Sequence, residues 1–125
     1  MSSKNSIRLC VQADPALARL VRMTASNVAT LAAMSVDRVE DVRMAAEEAF
    51  IYACASGPGA ELEIDFAYDA ERVAMTFGLD GIAFGSAGDE DATSAYADLI
   101  LGAVCDSYEK REDSSALELV LKADA

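Results

Sequence analysis

The sequence predicts an α+β fold: a two-layer sandwich with three helices on one face of a mostly antiparallel sheet. Two observations predict it. Hydrophobic spacing switches between period two and helical period in the order strand, two helices, two strands, loop, helix, two strands. The chain has 125 residues, 53% of them hydrophobic, enough for one core and too few for two. Residues 1–125 therefore read as a single domain without internal repeat or linker.

Ile7, Leu9 and Val11 alternate with Arg8, Cys10 and Gln12, a strand with one apolar face. Asp14 and Pro15 form a helix start, a capping side chain followed by proline at the first helical position. Leu17, Leu20, Val21, Thr24, Val28 and Leu31 then give an apolar face to about Met34. Ser35 is a second cap, and Val39, Val42, Ala46, Ala49, Phe50 and Ala53 mark the buried stripe of the helix it opens. Gly57-Pro58-Gly59 ends that helix. Leu62, Ile64 and Phe66 alternate with acidic residues, Asp69-Ala70-Glu71 turns the chain, and Val73, Met75, Phe77 and Leu79 return, an antiparallel hairpin. Gly81 to Ala92 reads as a loop whose Asp89-Glu90-Asp91 run is a solvated tip or a contact for a basic surface. A third helix fits Thr93 to Cys105, with Tyr96, Leu99, Ile100, Ala103 and Val104 as its apolar residues. Ser107 to Arg111 is a short strand, Glu112 to Ser115 a turn, and Leu117, Leu119 and Leu121 mark the last strand.

Composition excludes several function classes. Asp and Glu number 22 against 10 Lys and Arg, a net charge of −12, which opposes binding to nucleic acid or an anionic membrane surface. No apolar run approaches the roughly 18 residues of a membrane span, and the polar start does not read as a signal peptide. The absence of histidine removes imidazole catalysis and imidazole metal sites. Cys10, Cys54 and Cys105 form neither a CxxC motif nor a disulfide framework, so they read as three buried thiols in a reducing cytoplasm, with no metal site.

The element order, with the spacing of Glu48, Gly81 and Asp106, resembles the GHKL (histidine-kinase-like) ATPase superfamily, the Bergerat fold. Within it the chain looks like the bacterial anti-sigma-factor serine kinases, from Ile7 to Lys122 and most strongly from Val39 to Ala49. The resemblance implies that Glu48 matches the general base for phosphoryl transfer. It also implies an asparagine four residues later that holds magnesium; this chain has Tyr52 there. Residues four apart share a helix face, so a carboxylate and an amide could converge on one metal–phosphate site. The phenol lies too far from the backbone, and its ring fills the ion's space.

The family's D-x-G-x-G motif falls on Leu79, Gly81 and Ala83, so the adenine-binding Asp is replaced by leucine and the second glycine by alanine. A one-residue slip would bring Asp80 into the Asp position but would reverse the strand's facing. A third motif, a G-x-G stretch opening the last helix, falls on Ala95 and Ala97 when anchored on Asp106. Independently of any family, Val73 to Glu109 contains no Lys or Arg, whereas Asp80, Asp89, Glu90, Asp91, Asp98, Asp106 and Glu109 are acidic. Like charges at ~4 Å cost about 4 kcal/mol at an effective dielectric of ~20, so this segment opposes a triphosphate.

Two functions are thus expected from different classes. The first is a non-catalytic anti-sigma-type regulator with no cofactor, binding a sigma factor or an anti-anti-sigma protein. Glu48 is then a relic or a charge at the edge of the buried stripe, and Tyr52 plugs the vacated pocket or stacks on a ligand. The second is an active serine/threonine kinase using ATP and magnesium, with Glu48 as base. An orphan small-molecule pocket is a weaker third. The resemblance further implies a homodimer through Ile7 to Val11 and the first helix (Leu17, Leu20, Val21), a surface that reads equally as core.

Overall fold

The alternation at the start of the chain becomes β1 (Asn5–Gln12), which crosses through two helices before the sheet continues. A computed structural model describes residues 5–85, 90–111 and 115–124, with the backbone alone for 90–94. The helical pair is α1 (Ala18–Leu31) and α2 (Val36–Ser56), followed by the hairpin β2 (Glu61–Tyr68) and β3 (Arg72–Leu79). Then come α3 (Glu90–Val104), β4 (Ser107–Lys110) and β5 (Ala116–Lys122). The strands lie in the order β1-β2-β3-β5-β4, and every neighbouring pair is antiparallel. This is the α+β architecture read from the hydrophobic pattern.

Register explains where the core sits. Leu9 pairs with Ile64, Ile64 with Phe77, Phe77 with Leu117, and Leu117 with Lys110, one row across the sheet. Ile64, Phe77 and Leu117 are fully buried beneath the helices. Each such side chain contributes about 1.5–3 kcal/mol of burial. The next row places Tyr108 beside Leu119, so Tyr108 and Lys110 share the row positions of core residues. The opposite face carries Arg8, Cys10, Glu63, Asp65 and Glu118, and these charges are paired: Arg8 Nε lies 2.8 Å from Asp65 and 3.2 Å from Glu63, and Arg111 Nε 2.6 Å from Glu118. The β2–β3 turn is held by Asp69, whose carboxylate accepts from the backbone N–H of Glu71 at 2.8 Å and of Arg72 at 3.1 Å.

Several expectations are corrected. Asp14 does cap a helical start, but the first turn is a separate 3-10 turn at Pro15–Leu17. The helix also stops at Leu31 rather than near Met34, because Ala33 adopts a left-handed φ of 60°. The buried stripe of α1 is Val21, Ala25, Val28 and Ala29. Leu20 and Leu31 are 47% and 56% exposed, because small alanines, not leucines, face α2 and allow close approach. α3 begins at Glu90, three residues before Thr93, so the backbone of Glu90 and Asp91 forms its first turn and not a loop tip. Its buried residues include Ala97 and Leu101, while Tyr96, Leu99 and Ala103 point outward. Cys10 is exposed; only Cys54 is buried, and Cys105 is intermediate. The Asp89 position and the turn at Glu112, Asp113 and Ser114 lie outside the described residues. No helix among the described residues is long and apolar enough to cross a membrane.

Candidate functional site

Glu48 and Tyr52 lie one turn apart on the same side of α2, as their spacing requires. Tyr52 is 1% exposed. Its hydroxyl accepts a hydrogen bond from Lys110 Nζ at 2.6 Å, and the ammonium lies 5.0 Å from the ring centroid. Phe84 meets the ring edge-to-face, centroids 5.1 Å apart at 66°. The phenol is therefore part of the core, with its polar end satisfied by a cation from β4.

The segment after β3 is folded onto this cluster. Gly81 turns the chain at a φ of 71°. Ile82 lies against Gly57, where an added Cβ would come within 3.1 Å of it. The backbone N–H of Gly85 donates to Ser56 Oγ at 2.8 Å. Phe84, between these two anchors, is 5% exposed. On the other side Tyr108 donates to Asp98 Oδ1 at 2.6 Å, tying β4 to α3. Burial first, and then the Asp98 carboxylate, push the Tyr108 phenol far above its ordinary range. Glu48 is half-buried and joins no ion pair with another described residue. Burial holds its carboxyl above the usual range, and the charge of Glu47 adds to that.

Of the remaining positions singled out in the sequence, Leu79 and Ala97 lie in the same buried core as Tyr52 and Phe84, whereas Asp80 and Ala95 are exposed. Leu79 is 4% exposed and pairs with Leu62 in unslipped register, so Asp80 takes the opposite facing. Leu79 and Asp80 help line a cavity of about 440 Å³ with Cys10, Glu61, Glu63, Gly78 and Arg111, and its walls include neither Glu48 nor Tyr52. Ala83 is half-buried beside Phe84 in sequence. Ala95 and Ala97 lie inside α3, past its first turn, so their amides are committed to the helix. They do not open it as expected, and they present no free donors to a phosphate. Two of the acidic residues between Val73 and Glu109 are engaged within the fold. Asp106 accepts from Arg38 and from the Lys122 backbone, and Asp98 is held by Tyr108.

Lys110 is the residue that the sequence reading missed. It lies just past the cation-free stretch ending at Glu109. The available signal was strand parity: Tyr108 and Lys110 share the face that Leu117 and Leu119 give the neighbouring strand. Among the described residues no cluster of His, Cys, Asp and Glu suits a metal ion. The arrangement offers one ammonium, Lys110, two phenols, Tyr52 and Tyr108, and one carboxyl of raised pKa, Glu48. No protein-family model matches this chain, and no curated protein matches it.

Proposed function

We propose that this chain is a non-catalytic regulator on the histidine-kinase-like ATPase fold, of the anti-sigma-factor type. It acts in the cytoplasm by binding a protein partner, a sigma factor or an anti-anti-sigma protein, and needs no nucleotide. The observation that carries this reading is Tyr52. At the position where the resemblance calls for a magnesium-holding asparagine, a ring is buried, packed on Phe84 and bonded to Lys110. A divalent ion there would meet an ammonium, and like charges at ~4 Å cost about 4 kcal/mol per unit pair at an effective dielectric of ~20. The element order and the antiparallel sheet are compatible with a two-layer α/β fold.

One observation favours the kinase reading. The Glu48 carboxyl is held above its ordinary range by burial, which is how a general base is tuned toward neutral pH. Thermal melting with and without millimolar MgATP separates the two. A ligand at ~100 times its Kd stabilises a fold by about 2.7 kcal/mol, a clear shift in Tm. The regulator reading expects no shift. A clear shift overturns it, and loss of phosphate transfer in Glu48→Ala would then establish the kinase.

A further inference from the structure

We propose that the cavity on the helix-free face of the sheet binds a small zwitterion of dipeptide size, its ammonium end at Glu61 and Asp80 and its carboxylate end at Arg111. The proposal does not depend on the functional reading above, because Glu48 and Tyr52 take no part in this cavity. Its volume, about 440 Å³, is that of a small-molecule site. One row of the sheet forms its floor. Cys10 pairs with Glu63, Glu63 with Gly78, and Gly78 with Ala116. The backbone N–H of Arg111 donates to the Ala116 carbonyl at 2.9 Å and carries the row on to β4. Two small residues thus lie between two long ones of opposite charge, and Ala116, 3% exposed, is the bottom of the recess.

The fold does not require glycine at position 78. Its φ is not positive, and an added Cβ would meet nothing nearer than the Glu63 carbonyl at 3.9 Å. Glycine inside a strand weakens it and marks places where a ligand or another backbone approaches closely. No other described part of the chain approaches here, which leaves a ligand.

The walls specify its chemistry. Asp80 donates its backbone N–H to the Glu61 carbonyl at 3.1 Å, so two exposed carboxylates stand on neighbouring strands. Like charges placed opposite each other destabilise a sheet. Neither has an ion-pair partner among the described residues, whereas Glu63 is held by Arg8 at 3.2 Å. A metal ion fits poorly, since no described group of acidic side chains converges to hold one. An ammonium, with three donors, can bridge carboxylates that stand further apart. On the far wall Glu118 accepts from Arg111 Nε at 2.6 Å and fixes the guanidinium on this face. Guanidinium is the donor fork that matches a carboxylate. β3 and β4 are two strand spacings apart, about 10 Å. Side chains reaching in from both walls shorten that gap to roughly the 7 Å of two extended residues.

The test is a titration of isotope-labelled protein with dialanine, followed by amide NMR, with N-acetyl-dialanine and dialanine amide as controls. Saturating shifts are expected at Asp80 and Arg111. Each control lacks one charged end and is expected to bind roughly tenfold more weakly. Gly78→Val fills the recess with a good strand former, and is expected to abolish these shifts while leaving Tm unchanged or higher. Arg111→Gln is expected to erase the preference for dialanine over its amide. Melting curves confirm that each variant is folded. No saturating shift at Asp80 and Arg111 overturns the proposal, as does dialanine binding that survives in folded Gly78→Val. Equal affinity for dialanine and its amide reduces the site to an acidic patch and overturns it too.

Discussion

Glu48 and Tyr52 differ in what burial does to them. The phenol is enclosed at 1% exposure and keeps its hydrogen bond from Lys110, so its polar end is not left unsatisfied. The carboxyl is half-buried, raised in pKa by desolvation and by Glu47, and has no ion-pair partner among the described residues. The folded state therefore holds the Glu48 proton more tightly than the unfolded chain does. Its contribution to stability is present in acid and disappears as the pH rises through the folded-state pKa. Glu48→Gln should raise Tm at neutral pH, with the gain vanishing below the usual carboxylate range. Melting curves across pH check this; a gain that grows in acid would contradict it.

At the scale of elements, α2 organises the helix layer. Its alanines at 45, 46, 49 and 53 are all 0% exposed and allow α1, α3 and the sheet to approach closely. Its start is built from Ser35, whose hydroxyl oxygen accepts from the Arg38 backbone at 3.2 Å and whose O–H donates to Asp124. The same cap therefore fixes the helix and anchors the chain beyond β5. Ser35→Ala should cost about 1 kcal/mol, the usual loss for a helix cap, read from urea unfolding.

At the scale of the whole molecule, Arg38 joins elements distant in sequence. Its guanidinium donates to the Lys122 carbonyl at 2.8 Å, to Asp41 at 3.0 Å and to the Val104 carbonyl at 3.3 Å, and it also bonds Asp106. Its side chain is only 15% exposed, so water replaces these partners poorly. It ties the start of α2 to the end of α3 and to the last strand. Arg38→Ala should destabilise the fold by about 3 kcal/mol, measured by the same unfolding. Asp106, an anchor of the motif reading, is accounted for by this clasp.

The sequence by itself determined the order and type of the strands and α-helices, though not the 3-10 turn at Pro15–Leu17, together with the facing of the central strands and the unslipped register at Leu79. These follow from period-two and helical spacing and from local punctuation such as Asp14-Pro15, Ser35 and Asp69, all of which act within a few residues. It also placed Glu48 and Tyr52 on one helix face. Tertiary structure alone decided which apolar residues are core. Leu20, Leu31 and Leu99 satisfy helical periodicity yet face outward, because α1 turns Val21, Ala25, Val28 and Ala29, and α3 Ala97 and Leu101, toward the core. It alone brought Lys110 to Tyr52 across 58 positions of sequence. Periodicity reports a local helix or strand face; which face is buried, and which distant charge reaches it, depends on neighbours that the local pattern does not contain.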